Sequence, residues 1–249
     1  MSRRRTLLAG WALALLAIAL FAALGTWQLG RQGEKQRLLD DAGQALQQRD
    51  PLPLAAASDR DAGRVLDWAA GPGSYLDLPA VLLDNQQRGG RPGVRVYRAF
   101  APQRDGLPLL VDLGWLPWSA DRSLPPLAPP PADARVAGLL APPPSAGLAR
   151  AALQPQAEGA LLATALEPEA LAPALGLPAL APRVLRLDPE LPGGYARDLE
   201  MLPNTLPPER HLGYAVQWYG LALAVLVTAL VLTIRRGAPR LQRNQRTGP

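Results

Sequence analysis

Hydropathy divides the chain into two long apolar runs and a mixed middle. From Thr6 to Gly30, twenty-five residues carry no charged side chain, and a second uncharged run of twenty-three extends from Leu212 to Ile234. Each exceeds the roughly 20 residues a helix needs to cross a bilayer core, which predicts transmembrane helices over 6–30 and 211–234. Between them, short stretches rich in Val and Leu alternate with Gly and Pro. Val81 to Asp84, Val94 to Phe100, Leu109 to Leu113, Arg135 to Leu140 and Arg183 to Leu187 read as strands. Gly89-Gly90-Arg91-Pro92-Gly93 predicts a hairpin between the first two. Glu34 to Gln48 sets Leu38, Leu39, Ala42 and Leu46 on one face, so a helix should continue outward from the first span. The middle region, 31–210, holds 26 of the 28 prolines and therefore favours short strands and loops over long helices. Within it, 123–182 turns to Ala, Pro and Leu, with PPLAPPP and APPP tracts that predict extended, poorly folded connection around a short helix from Pro168 to Leu175. The expected fold is α+β, two antiparallel transmembrane helices flanking a mainly β domain.

Charge sets the orientation. Arg3, Arg4 and Arg5 precede the first run, and Arg235, Arg236, Arg240, Arg243 and Arg246 follow the second, with no acidic residue in either tail. The chain is +5 overall and its tails carry eight positive charges, which leaves 31–210 at −3. A middle of that sign is a poor partner for nucleic acid, despite a pI near 10.2. Basic flanks stay on the cytoplasmic side, so the tails 1–5 and 235–249 are expected inside a bacterial inner membrane and the middle in the periplasm. The first apolar run is longer than a signal-peptide core and reads as an uncleaved anchor.

The side chains available for chemistry are few. The chain has no cysteine and one histidine, which excludes disulfides, thiolate metal sites, covalent c-type haem attachment, Cys-His catalysis and multi-histidine metal centres. No GxSxG elbow, GxxxxGK[ST] or GxGxxG spacing is present, so neither a serine hydrolase nor a nucleotide-binding enzyme is supported. The single imidazole, His211, falls in the first turn of the second apolar helix, after Pro207-Pro208. Helical spacing sets Tyr214 and Trp218 at i+3 and i+7 from it. Two readings of this cluster stand open. His211, Tyr214, Trp218 and Tyr219 can serve as interfacial anchors. Alternatively, His211 can ligate a haem iron, with the adjacent Arg210 meeting the propionates and the aromatic rings packing on the macrocycle. A second axial ligand is missing, since the only methionines are Met1 and Met201.

Four blocks carry a family resemblance. GTWQLGRQGEK (25–35), YLDLPAVLLDNQQRGGRPGVRVYRAF (75–100), LLVDLGWLP (109–117) and RHLGYAVQWYG (210–220) resemble, in order, the signatures of the Surfeit locus protein 1 family, assembly factors for cytochrome c oxidase. The family commonly has arginine before the Gly-Trp of the third block, where this chain has Leu113. The resemblance implies a membrane-anchored, non-enzymatic factor that binds haem a transiently and promotes its insertion into the oxidase catalytic subunit, with haem a synthase a further candidate partner. It implies His211 as iron ligand. Gly25, Trp27, Gln28 and Arg31 on one helix, and Arg210, Tyr214, Gln217 and Trp218 on the other, would complete the site. A scaffold that holds oxidase subunits together without haem is the competing expectation.

Overall fold

A computed structural model describes residues 3–59, 65–119, 126–131, 133–145, 151–156, 159–201 and 206–237. The C-terminal basic residues Arg240, Arg243 and Arg246 lie outside them. The chain forms two compact units, one of residues 1–37 and 205–249 and one of residues 38–204.

The first unit is a pair of helices. Helix α1, Arg3–Gln48, runs unbroken for 46 residues because its first proline comes only at Pro51. The expected apolar span and the expected helix after it are therefore one element, which ends where Arg49 turns to φ 42°. Helix α3, Pro208–Gly237, starts on a proline, whose missing N–H is one of those that find no partner in a first turn anyway. Side-chain contacts pair Gln28 with His211, Thr26 with Tyr219, Phe21 with Trp218 and Trp11 with Thr233, so the two helices run antiparallel. Neither is buried as a core helix within the chain: none of the apolar window of α1 and 11% of that of α3 is buried. Leu8, Leu13, Leu16, Val216, Leu223 and Ile234 all face outward. Both helices are long and apolar enough to cross a membrane.

The second unit is a mixed sheet of eight strands: β1 Asp67–Tyr75, β2 Val81–Arg88, β3 Arg91–Pro102, β4 Leu109–Pro117, β5 Asp133–Ala141, β6 Leu153–Pro155, β7 Leu161–Ala163 and β8 Val184–Leu187. Their order is β1-β5-β8-β4-β3-β2-β7-β6, with a further pairing of β1 to β3. The twelve residues of β3 explain the closure. One edge pairs with β4, and the other is shared by β2 through Tyr97 and by β1 from Phe100 to Pro102. Five strands, β1, β5, β8, β4 and β3, thus form a ring, which removes their free edges. Alternate residues of the ring strands, among them Ala69, Phe100, Leu109, Val111, Leu113, Val136, Leu140, Leu185 and Leu187, supply one core. Leu113, at the position where the family commonly has arginine, belongs to this core.

The five expected strands are all present, and so is the hairpin. Arg88 pairs with Arg91 across Gly89-Gly90, whose φ values of 56° and 74° match the primed turns that fit twisted strands. Asn85, in the block LLDN, takes φ 58° where the pairing of β2 and β3 shifts register. Asparagine tolerates that left-handed geometry better than most side chains. Asp84 accepts a hydrogen bond from Trp118 Nε1 at 3.1 Å.

The Ala-Pro-rich region is more ordered than its composition suggests. Besides β5 it contains β6, β7 and helix α2, Pro168–Ala174. Leu161, Ala163, Leu166, Leu171, Ala172, Leu175 and Leu180 pack with Val81, Leu83, Tyr97 and Leu110 of the sheet. The Ala and Leu content supplies a buried face, and Pro168 opens α2 where proline is tolerated.

Under the segment that follows β8 lies a buried charge cluster. Asp112 is 3% exposed, receives Arg95 Nη1 at 2.5 Å through Oδ2, and accepts the Gly114 N–H at 2.9 Å through Oδ1. The Tyr97 phenol is hydrogen-bonded to the same carboxylate, and its pKa lies well above the ordinary value because of burial first and the Asp112 charge second. Asp198 bridges Arg88 at 3.1 Å and lies 3.8 Å from Arg186, so the strap carrying it is tied to the sheet by charge.

Candidate functional site

His211 occupies the first turn of α3, on the face that α3 turns toward α1. With Ala215 and Ala222 it is buried, at 7% exposure. Its Nδ1 lies 2.7 Å from Gln28 Oε1 of α1. A carbonyl oxygen only accepts, so Nδ1 donates, and in the neutral imidazole the lone pair is then on Nε2. Nε2 is buried and has no hydrogen-bond partner among the described residues. A polar atom in that position costs about 1–3 kcal/mol until something bonds to it.

The approach of the helices sets this geometry. A Cβ on Gly25 would lie 2.9 Å from the Tyr219 ring, so only glycine lets that ring sit against α1. The Tyr219 hydroxyl is then 2.9 Å from Thr26 Oγ1. On the same stretch of the seam, Phe21 and Trp218 stack with ring centroids 5.7 Å apart. On the other side of His211, Lys35 Nζ donates to the Leu206 carbonyl. Burial, and then the neighbouring Arg31, draw the pKa of that ammonium below the ordinary lysine value. The fields of Lys35 and Arg31 both reach the imidazole.

The residues nominated from sequence fall in different places. His211 and Gln28 meet directly, and Gly25 and Trp218 lie on the same seam. Trp27 points outward at 56% exposure, and Arg31 bridges Glu34 at 2.7 Å on the surface. Arg210, Tyr214 and Gln217 share a neighbouring face of α3, where with Pro207, Glu209 and Gly213 they line a shallow pocket of about 350 Å³. At 100° per residue, Tyr214 is about 60° from the His211 direction, whereas Trp218 is about 20° from it. Three contributors were not nominated: Phe21, Thr26 and Lys35. Their signal was a small residue, Gly25, opposite an aromatic in a second apolar run. Among the described residues no group of three or more His, Cys, Asp or Glu side chains is placed to hold a metal ion.

An α+β chain with two helices of membrane-crossing length and a buried histidine on the seam between them is compatible with a membrane protein. The profile of the SURF1 family matches residues 15–223, and the chain belongs to that family. The family is associated with cytochrome c oxidase assembly, and its members are assembly factors rather than catalysts. No curated protein matches the chain significantly.

Proposed function

We propose that the protein is an integral inner-membrane factor that binds haem a transiently through His211 and promotes its insertion into the catalytic subunit of cytochrome c oxidase. The observation that carries this reading is the state of the imidazole. A ligating histidine donates its second ring nitrogen to a fixed acceptor, which sets the tautomer and raises the basicity of the other nitrogen. Gln28 supplies that acceptor, and Nε2 is an unsatisfied donor atom for iron. The residues present therefore fit one axial ligand. Haem a is cargo here, and a single protein ligand suits a site that must release it.

In this reading α1 and α3 cross the membrane, with the arginine-rich tails cytoplasmic and the β-rich unit periplasmic. Because Nε2 is enclosed, the helices must part before a macrocycle can enter. Arg210 is exposed beside the seam and is better placed to meet a propionate than Arg31, whose guanidinium is occupied by Glu34. Haem a synthase is the candidate donor, and the surrounding lipid is the solvent for the apolar part of the cargo.

The test is the pyridine haemochrome spectrum of the protein purified from cells that make haem a, beside His211→Ala prepared identically. Haem a in the parent and its loss in the variant is the expected result. Equal haem in both would place the ligand elsewhere, and a colourless parent would leave a scaffold for oxidase subunits as the function.

A further inference from the structure

Beyond the Phe21 and Trp218 stack, the seam between α1 and α3 changes character. The aromatic pair holds the helices apart, and past it the facing residues are mostly small. A groove of about 460 Å³ opens there, its walls formed by Ala14, Ala17, Leu221, Ala224, Val225 and Ala229 among others. Two of its three threonines add little polarity, because Thr228 and Thr233 donate to the Ala224 and Ala229 carbonyls, both at 2.7 Å. The far end is tied by Trp11 Nε1, which donates to Thr233 Oγ1 at 3.0 Å.

We propose that this groove is the subsite for the isoprenoid tail of the cargo, and that it makes the chain favour a haem carrying such a tail over one without. The inference rests on reading His211 as the iron ligand. Leu221 lies ten residues along α3 from His211, about 15 Å at the helical rise, and the groove continues for about 18 Å to Thr233. Once the helices part to admit a ring held at His211, a tail that leaves its edge would run along the seam, past the Phe21 and Trp218 stack, into the groove. The default competitor is a lipid acyl chain. The tethered tail has the advantage because binding of the ring presents it to the groove at high effective concentration. In a bilayer, moving an alkyl chain from lipid to protein gains no hydrophobic free energy, so discrimination comes from dispersion contacts with the walls and is modest, about tenfold.

Haem o and haem b separate the two assignments, since they differ in the tail. The full chain, reconstituted in phosphatidylcholine nanodiscs, is titrated with each and followed by the Soret band. The expected result is haem o bound about tenfold more tightly than haem b. Ala14→Leu and Ala224→Leu, made singly, should each abolish that preference while leaving haem b affinity unchanged. Equal affinity of the parent for the two haems, or a preference that survives both fillings, would overturn the subsite. His211→Ala should weaken both haems and preserve their ratio. If it weakens neither while the parent still prefers haem o, the groove stands and the ligand assignment falls. Binding of neither haem to the parent would remove both.

Discussion

Asp112 and His211 are both buried polar side chains, at 3% and 7% exposure, and their surroundings differ in kind. Each carboxylate oxygen of Asp112 has a partner, Tyr97 bonds the same carboxylate, and Arg95 lies 4.0 Å from Asp198 of the strap. His211 has one nitrogen fixed by Gln28 and one bonded to nothing. A closed polar network makes the fold specific, because every competing arrangement leaves a charge unpaired. A half-satisfied group adds no such specificity and is poised for a ligand. The contrast separates a polar group that serves folding from one reserved for function.

The largest expected effect tests the folding half of that contrast. Asp112→Ala leaves Arg95 buried without its anion and should destabilise the chain by about 3–5 kcal/mol, measured by thermal unfolding of the whole protein in detergent. Gln28→Leu comes next. It strips the His211 Nδ1 proton of its acceptor and should cost about 1–3 kcal/mol, while weakening haem binding through loss of the fixed tautomer. His211→Ala should break the symmetry between the two groups. It removes a satisfied nitrogen and an unsatisfied one together, so stability should stay within about 1 kcal/mol of the parent while haem is lost. A variant as unstable as Asp112→Ala would show that the imidazole, too, serves the fold.

Alkaline titration gives a smaller, signed effect. Burial pushes the Tyr75 phenol up to about 12, against an ordinary value near 10. Above pH 10 the unfolded chain releases that proton while the folded one keeps it, so the stabilisation present below pH 10 is lost as pH rises toward 12. Tyr97, raised by burial, acts in the same direction. Tyr75→Phe should flatten the fall in stability over that window. Smallest of all, Arg31→Gln removes an exposed bridge to Glu34 and should change stability by no more than about 0.5 kcal/mol. Unchanged haem occupancy in that variant would agree with its guanidinium being engaged away from the seam.

How much of this was legible follows from what each pattern encodes. The five strands rich in Val and Leu announced themselves, and Gly89-Gly90 announced their hairpin. Strand β1, DWAAGPGSY, did not, because its composition is that of a loop. A Cβ on Gly73 would meet the Ala101 carbonyl at 2.2 Å, so the pairing that closes the ring demands the residue that conceals the strand. Sheet partners β6 and β7 were hidden by the prolines around them and are only three residues long. At the site, spacing put both Tyr214 and Trp218 on the His211 face, and only the packing of two helices could decide that Trp218, with Ala215, faces α1 while Tyr214 turns aside. The pairing of Gln28 with His211 spans 183 residues, and no local pattern reports it.

The position of β8 has a consequence for the time course of folding. This four-residue strand, the last among the described residues, inserts between β4 and β5, two strands that bracket a gap in the ring until Val184–Leu187 arrives. Emerging residues from Asp67 to Ala141 can pair into hairpins, yet the circle stays open until nearly the whole unit has been synthesised. Such late, sequence-distant pairing is slow and leaves strand edges exposed while it waits. Replacing Leu185 with a charged residue should therefore register first as poor recovery of folded chain during biosynthesis, ahead of any loss of function in molecules that complete the ring.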